Sequence, residues 1–280
     1  MTRYLIVESE GEEDRQRRRD HAGKSSAESY AATLQQLRPG CRVEIVNPVD
    51  DDGECAEVGR LASFDAVFLS GSPVHVYSDG PYVQCHLAFL RRVFASGTPS
   101  FGSCAGLQLA VAAAGGSVRK MTERKEAGIA RRIVATAEGR AHPLLAGRAA
   151  VWDAPSIHSD EVETLPPGAI LLAGNATTAI QAAEIRYDRG IFWGVQYHPE
   201  LPPGEIAAAL RRQAKSLIES GLAATEAEVE QYAARLDALH NAPDAMSARW
   251  QLGVDDEFAV EDKRRRELRN FLDAAPQLKR

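Results

Sequence analysis

The sequence predicts an α/β fold: a mostly parallel central sheet flanked by helices, with a small β-rich excursion and a C-terminal helical extension. Short segments of continuous apolar character, such as 4–7 and 66–70, are typical of strands buried on both faces of a parallel sheet. Longer segments in which apolar residues recur three and four positions apart, as in 81–95, indicate helices that cover such a sheet. The length of 280 residues, 44% of them hydrophobic, suits one large domain with an appendage.

A highly charged segment, 8–24, follows the first predicted strand, and we interpret it as a solvated connection. The carboxyl ends of strands form the active-site side of such sheets. Contact with an acidic substrate group is therefore a second, less favoured interpretation of its basic residues, which are Arg17, Arg18, Arg19 and Lys24.

Capping and turn residues mark the boundaries of the next predicted helix and strands. Ser25 and Glu28 have the spacing of a capping box, which predicts a helix that ends near Pro39-Gly40. A second strand is predicted at 42–46, and the third, 66–70, ends at a glycine-containing turn. The sequence therefore alternates strands and helices, as a parallel sheet requires.

A cysteine stands at the turn between the next predicted strand, 98–101, and an alanine-rich helix that reaches residue 114. Gly102 and Gly106 lie two positions on either side of Cys104 and allow a sharp turn that a Cβ would block. This is the pattern of a nucleophile elbow, G-x-S-x-G, with Cys in place of Ser. The sulfur would lie at a helix N-terminus, where free N–H groups and the helix dipole favour a thiolate. A buried structural cysteine is the alternative.

The rest of the chain predicts a β-rich segment at 117–172, a hairpin at 179–196 and helices from residue 203 onward. We place a boundary at residue 220, which gives a core domain, 1–220, and a helical C-terminal extension, 221–280. The apolar residues of the extension argue against disorder. They suit packing on the domain, binding of a partner protein, or a dimer surface, so a homo-oligomer is a possible state.

A histidine and a glutamate, His198 and Glu200, come directly after an apolar strand of that hairpin. A cysteine nucleophile needs a base to take its proton and a third group to orient the base. Residues two apart in an extended segment project the same way, so we expect Glu200 to lie beside the imidazole. A core histidine and a helix-start carboxylate are the alternatives, which the cysteine elbow makes less favoured.

With these motifs in this order, residues 1–215 resemble a class I glutamine amidotransferase domain of the triad type, which implies a flavodoxin-like fold. The family's G-x-C-x-G-x-Q and H-P-E motifs match Gly102 to Gln108 and His198-Pro199-Glu200. Its early glycine-rich turn resembles Leu69-Ser70-Gly71-Ser72-Pro73, and its H-S-D-x-V segment resembles His158-Ser159-Asp160-Glu161-Val162. The likeness extends to stand-alone members similar to the amidotransferase half of GMP synthase and to γ-glutamyl peptidases.

The resemblance implies that Cys104 is the nucleophile, His198 the base and Glu200 the group that orients the base. It implies oxyanion- or substrate-binding roles for six further residues, namely Gly71, Ser72, Ala105, Gln108, His158 and Ser159. Ser72 stands where the family commonly has Gly, which matters only if this position needs a positive φ. Glu126 is a candidate for holding the substrate's α-amino group, although a solvated carboxylate is the favoured interpretation.

The resemblance implies hydrolysis of the glutamine side-chain amide through a γ-glutamyl thioester, with release of glutamate and ammonia. The sequence contains no complete P-loop and no S-G-G-x-D-S loop, so we expect any ammonia-accepting synthetase subunit to be a separate chain. The alternative is a γ-glutamyl peptidase or hydrolase that acts on γ-glutamyl amides. A non-catalytic binding protein is a third reading, which the intact triad disfavours.

Composition narrows the range of partners, cofactors and cellular locations that we expect. A net charge of −6 with 26% charged residues indicates no nucleic acid or anionic membrane as partner. No apolar run approaches a membrane span, and the chain starts without a signal-peptide pattern. We expect no metal and no cofactor, because the histidines and cysteines lack metal-ligand spacing. A catalytic thiol predicts a reducing, cytoplasmic setting, and we interpret Cys41, Cys55 and Cys85 as small hydrophobic residues.

Overall fold

The computed structural model describes residues 1–50, 57–78, 80–122 and 126–279, so Cys55 lies outside the described residues. The strands are β1 (Arg3–Val7), β2 (Arg42–Val46), β3 (Ala66–Leu69), β4 (Ser100–Ser103), β5 (Ser117–Lys120), β6 (Glu126–Ala135), β7 (Val151–His158), β8 (Asp160–Thr164), β9 (Ile170–Gly174), β10 (Ala182–Tyr187) and β11 (Gly190–Val195). The helices are α1 (Glu12–Ala22), α2 (Ser26–Leu37), α3 (Val58–Leu61), α4 (Pro81–Ser96), α5 (Ala105–Ala113), α6 (Ala137–Ala141), α7 (Pro203–Arg212), α8 (Ala214–Glu219), α9 (Glu226–Asn241), α10 (Met246–Leu252), α11 (Asp256–Ala259), α12 (Glu261–Arg264) and α13 (Arg266–Leu278). Within these described ranges, no helix has both the length and the apolar character needed to cross a bilayer.

Nine strands form one sheet in the order β2-β1-β3-β4-β11-β10-β9-β6-β7. The first five are parallel neighbours. Counted along the chain, their order is the 2-1-3-4-5 of a flavodoxin-like sheet. From β11 onward neighbouring strands are antiparallel. The predicted α/β class is confirmed, and the order reverses between β1 and β3, where such sheets open a crevice at their carboxyl edge.

The β-rich segment has two parts in the structure. Strands β6, β7 and β9 extend the central sheet, whereas β5 pairs with β8 in a separate two-stranded ribbon. The predicted hairpin is confirmed, because β10 and β11 pair directly with Tyr187 opposite Gly190. Most of the predicted excursion is therefore a continuation of the main sheet.

Alternate residues of β1 face opposite sides of the sheet, as the pleat requires. Leu5 and Val7 belong to the apolar core that α4 and α5 cover. Tyr4 and Ile6 belong to the core on the other face, which α2 and α13 cover. Phe271 of α13 contacts Phe68 of β3 edge-on, with the ring centroids 5.4 Å apart. Helices therefore cover both faces of the parallel part of the sheet, as its apolar strands predict.

The C-terminal extension packs on the rest of the chain. Helices α9, α10 and α11 share a third apolar core with α7, which includes Leu210, Leu236 and Phe258. The last helix, α13, completes the sheet core described above. The structure thus places the extension in the first of the three roles considered for it, while the domain boundary at residue 220 stays a prediction.

The interpretation of the charged segment 8–24 as a solvated connection is wrong, because the segment contains helix α1. Arg18 of α1 is only 9% exposed, and its guanidinium lies 2.9 Å from the Glu205 carboxylate on α7. The face that α1 turns inward is therefore charged. Apolar periodicity, which is the main sequence signal of a packed helix, is missing for that reason.

Candidate active site

Cys104 lies at the turn between β4 and α5, with φ 53° and ψ −112°. A positive φ is unusual for a residue with a Cβ and is typical of strained functional turns. A Cβ on Gly102 would come within 2.9 Å of the Gly106 backbone, and a Cβ on Gly106 within 2.8 Å of the Leu69 carbonyl oxygen. The two glycines thus allow the first turn of α5 to pack in direct contact with β3 and β4. The predicted elbow geometry is present, and Cys104 is 6% exposed.

His198 and Glu200 lie beyond the carboxyl end of β11, next to β4 in the sheet. The His198 Nδ1 atom is 2.6 Å from Glu200 Oε1, so the spacing of two residues gives the expected contact. The backbone fixes both partners of the site. The His198 N–H donates to the Pro155 carbonyl at 2.8 Å, and the Cys104 N–H donates to the Val195 carbonyl at 2.8 Å. With Nδ1 held by the carboxylate, Nε2 is the nitrogen left for the Cys104 side chain.

The protonation of His198 follows from these neighbours. Burial lowers its pKa, but the charge of Glu200, hydrogen bonding to the Cys104 side chain and hydrogen bonding to Glu200 raise it more, to about 10. The imidazole therefore holds a proton on each nitrogen at neutral pH. A cationic imidazole of this kind stabilises a thiolate beside it. The cationic imidazole is thus hydrogen-bonded to the Cys104 side chain.

Two residues that the sequence analysis did not assign to the site hold the second oxygen of Glu200. The Ser103 hydroxyl donates to Glu200 Oε2 at 2.9 Å. The Tyr30 hydroxyl, fully buried on α2, is hydrogen-bonded to Ser103 Oγ. Burial, the largest cause, raises the pKa of Tyr30 well above its usual value, so the phenol stays a neutral donor. Tyr30 is buried on the same face of α2 as Leu34, so its local sequence pattern is that of a core residue and gave no signal for this role.

The predicted oxyanion turn, Gly71 and Ser72, follows β3 and lies against the imidazole. A Cβ on Gly71 would approach within 2.7 Å of the His198 Cε1 atom, so this position requires Gly. Ser72 has no positive φ, and its hydroxyl accepts a hydrogen bond from the Val74 N–H at 3.1 Å. Ser at this position is therefore compatible with the turn. Ala105 is the first residue of α5, where backbone N–H groups have no partner within the helix.

The predicted pocket residues lie on the same cavity as Cys104. Gln108 donates to the Asp160 carbonyl at 3.0 Å and to Gln196 Oε1 at 3.1 Å, which fixes it one turn into α5. His158, Ser159 and Asp160 form the facing wall. The Asp160 carboxylate in turn lies 2.6 Å from the His75 ring, close to the oxyanion turn.

Both interpretations of Glu126, as a solvated carboxylate and as a group that holds the substrate's α-amino group, are wrong. Glu126 is neither solvated nor on the cavity wall. Its side chain is buried, and three groups donate to its carboxylate: His158 at 2.9 Å, Asn175 at 2.8 Å and Gln181 at 2.8 Å. Burial alone would raise the pKa of Glu126, but these donors lower it overall. Glu126 is an internal anion that holds His158 in place.

The cavity that joins these groups has a volume of about 380 Å³, which suits a small ligand. Its floor holds Cys104 and His198. Its outer wall comes from α1 and from the junction of α7 and α8, with Arg17, Arg18 and Arg212 among the lining residues. Of the four basic residues named from the sequence, Arg17 and Arg18 thus line the cavity. Arg19 pairs with Glu28 at 2.7 Å instead.

The fold and the site define a class of protein: a flavodoxin-like α/β hydrolase with a cysteine elbow beside a His–Glu pair. Residues 21–215 match the family described as glutamine amidotransferase class-I. The chain belongs to this family, and it is a hydrolase-type enzyme.

Two relatives differ in how much of their length this chain matches. A γ-glutamyl-L-1-hydroxyisopropylamide hydrolase from a Pseudomonas species is 38% identical over 231 residues, which are 81% of this chain and 77% of that protein. A glutamine-hydrolysing GMP synthase from Prochlorococcus marinus is 35% identical over 136 residues, 48% of this chain and 24% of that protein. The match therefore spans about a quarter of that synthase.

Solved structures show the same fold. A glutamine amidotransferase from Thermotoga maritima superposes with a TM-score of 0.67 at 14% identity, covering 99% of this chain and 98% of that one. A glutamine amidotransferase from Methylobacillus flagellatus gives a TM-score of 0.58 at 19% identity, covering 91% and 95%. The first of these matches includes the helical extension.

Proposed function

We propose that this enzyme hydrolyses γ-glutamyl amide bonds through Cys104, His198 and Glu200. The observation that carries the proposal is the set of buried contacts at the elbow. The Cys104 side chain is hydrogen-bonded to the His198 imidazole, whose Nδ1 lies 2.6 Å from the Glu200 carboxylate. The Pseudomonas relative, matched over most of both chains, is named for the hydrolysis of a γ-glutamyl amide, and this favours the amide hydrolase over the ammonia-supplying role.

The chemistry follows from the geometry in two steps. The Cys104 sulfur attacks the δ-carbonyl carbon, and the carbonyl electrons move to the oxygen. As the C–N bond breaks, the imidazolium of His198 gives its proton to the leaving amine. Neutral His198 then takes a proton from water, which attacks the γ-glutamyl thioester; glutamate leaves, and the thiolate and imidazolium return. Glu200 keeps Nδ1 protonated and stabilises the cation.

The oxyanion formed in each step needs donors at the elbow. The backbone N–H of Ala105 at the start of α5 and that of Gly71 or Ser72 in the facing turn are the donors we propose. One such donor contributes roughly 3 kcal/mol to transition-state stabilisation in enzymes of this kind. Gln108, His158 and Ser159 line the side of the cavity where the γ-glutamyl group would lie.

A second candidate function is glutamine hydrolysis that supplies ammonia to a synthetase on another chain. The likeness to GMP synthases favours it, although the matched region is about a quarter of the Prochlorococcus marinus enzyme. Either function uses the same three side chains. They differ in whether the amine part of the substrate is ammonia alone or a larger group, and a cytoplasmic location remains part of both proposals.

The test compares glutamine with a γ-glutamyl alkylamide as substrates of the wild-type enzyme and of Cys104→Ala. We expect a higher kcat/KM for the alkylamide, loss of both activities in the variant, and a wild-type adduct with the mass of a γ-glutamyl thioester after rapid quenching. A preference for glutamine would favour the ammonia-supplying role. Activity retained in Cys104→Ala would overturn the role of the cysteine in both.

A further inference from the structure

The outer wall of the cavity carries charges that the proposed mechanism does not use. Helix α1 and the residues before it contribute Glu10, Asp14, Arg17 and Arg18, and the end of α7 contributes Arg212. These are three guanidinium groups and two carboxyl groups. Burial, the largest cause, raises the pKa of Glu10 to about 7, so this carboxyl is only partly ionised at neutral pH. These five lining residues together therefore carry a small net positive charge.

The three arginines differ in their partners. Arg18 lies 2.9 Å from Glu205 and 3.8 Å from Glu10, and Arg17 lies 3.2 Å from Asp14. The Arg212 guanidinium makes no hydrogen bond or ion pair with any residue in the described part of the chain, although the residue is half-buried. The Nε atom of Arg18 is also buried, and it has no hydrogen-bond partner among the residues that the structure describes. Guanidinium N–H groups on this wall thus have no acceptor, and most of them belong to Arg212.

A half-buried guanidinium that has lost hydration and gained no partner is unfavourable. Burial and the positive charge of Arg18 lower the pKa of Arg212, and the nearby Glu10 and Asp14 raise it only in part. An anion bound there would restore the lost solvation through charge-assisted hydrogen bonds, and the planar guanidinium fits a carboxylate with two parallel bonds.

The position of Arg212 indicates which part of a substrate would supply that anion. The γ-glutamyl group would lie toward Gln108 and the wall formed by His158–Asp160, as proposed above. The leaving amine must face His198, which protonates it. The chain runs from His198 through Leu201, which also lines the cavity, directly into α7. Arg212, at the end of α7, lines the same cavity, and we place it on the amine side of the scissile bond.

We propose that Arg212 is a specificity-determining residue that binds a carboxylate on the amine part of the substrate. The preferred substrates are then γ-glutamyl amino acids rather than γ-glutamyl amides of neutral amines. This inference rests on the proposed function, because it needs hydrolysis of γ-glutamyl amides at Cys104.

The experiment uses two substrates that differ in one charge, γ-glutamyl-glycine and γ-glutamyl-glycinamide. The variants are Arg212→Met, which keeps the apolar stem, and Arg212→Lys, which keeps the charge but not the planar fork. Arg211→Met is the matched control, because Arg211 is the adjacent residue, pairs with Glu230 and Asp237 on α9, and does not line the cavity. Each protein is first checked for an unchanged far-UV circular dichroism spectrum and melting temperature.

We expect wild type and Arg211→Met to prefer γ-glutamyl-glycine by about ten- to hundredfold in kcat/KM, the range for hydrogen bonds to a charged group. In Arg212→Met this ratio falls toward one, and Arg212→Lys gives an intermediate ratio. An equal loss with both substrates would place Arg212 on the common γ-glutamyl group, and an unchanged ratio would remove it from binding; either result overturns the inference while leaving the proposed function intact. If wild type hydrolyses neither compound, both proposals fail.

Discussion

Two histidines that line the same cavity are each paired with a glutamate, and the two pairs differ in what the second ring nitrogen contacts. In the first pair, His198 Nδ1 faces Glu200 at 2.6 Å, and its other nitrogen faces the Cys104 side chain. In the second pair, His158 Nε2 lies 2.9 Å from Glu126, and its Nδ1 lies 2.9 Å from the Asp160 carbonyl oxygen. All four side chains are buried. Only the His198 ring can exchange a proton with a reacting group.

A simple criterion separates the pair that we propose to be catalytic from the structural pair. A carboxylate beside an imidazole orients the ring in both cases. In the second pair both nitrogens already face oxygen atoms of the protein, so the ring serves to hold the 158–160 segment against Gln108. In the first pair one nitrogen is directed at the Cys104 side chain, the proposed nucleophile. Variants of each pair should therefore affect different properties of the enzyme.

The largest difference is expected between His198→Gln and His158→Gln. We expect kcat to fall by roughly 10⁴-fold or more in His198→Gln, because both proton transfers lose their carrier. We expect kcat in His158→Gln to stay within about tenfold of wild type, since the ring takes no part in proton transfer. Steady-state kinetics with one γ-glutamyl amide measures both. Similar losses of kcat in two folded variants would contradict the distinction.

The second prediction concerns stability and uses Glu126→Gln. Replacing a buried carboxylate that accepts three hydrogen bonds leaves donors unsatisfied, and we expect the free energy of unfolding to fall by about 3 kcal/mol. Because the folded-state pKa of Glu126 is lowered, its stabilising effect is present above the ordinary Glu pKa and is lost as the pH falls through the folded value. The difference between wild type and variant should therefore shrink in acid. Urea unfolding at several pH values measures it.

Two outcomes bear on that prediction. A variant with unchanged stability at pH 7 would show that Asn175, Gln181 and His158 find other partners. A variant of unchanged stability with a large loss of kcat would place Glu126 in the chemistry, against the comparison. Glu200→Gln is the matched variant, for which we expect kcat to fall by orders of magnitude.

The third prediction is the pH dependence of kcat/KM. The charge of Glu200 and the Cys104 side chain raise the pKa of His198 to about 10 despite its burial, so the imidazolium persists through neutral pH. We expect activity to decline on the alkaline side near pH 10, by about tenfold per pH unit. The same shift stabilises the fold below about pH 6.5, and this contribution is lost as the pH rises through about 10.

Glu200→Gln is the control for that profile, because it removes the carboxylate charge that raises the pKa. Its alkaline decline should move to lower pH, measured on whatever activity remains. A wild-type decline near the ordinary histidine pKa, unaffected by this substitution, would show that His198 works as a neutral base with no thiolate–imidazolium pair.

The sequence was informative where the determinants are local. Gly102, Cys104 and Gly106 form the elbow within five residues, and the spacing of His198 and Glu200 places both side chains on one side of an extended segment. These contacts depend on backbone geometry that neighbouring residues determine, so the motif and the structure agree. The sequence signals for the strands of the parallel sheet were equally local, since each strand is a short run of apolar residues.

The parts that the sequence did not predict depend on distant contacts. Helix α1 packs through Arg18, whose partner Glu205 lies 187 positions away. Glu126 is held by side chains 32, 49 and 55 positions along the chain. A charged residue has the same local pattern whether it is solvated or paired in the interior. Only the tertiary fold distinguishes the two, and both corrections in this protein are of that kind.

The smallest effect is expected from the residue that positions Glu200, and Ser103→Ala tests it. The variant removes the donor 2.9 Å from Glu200 Oε2 but leaves the contact between Oε1 and His198 intact. We expect kcat to fall by about tenfold, in line with one hydrogen bond to a charged group, with KM unchanged because Ser103 does not line the cavity. Tyr30→Phe, one bond further out, should change kcat less. A rise in KM with constant kcat would mean that Ser103 shapes the pocket and that Glu200 needs no second partner to orient the imidazole.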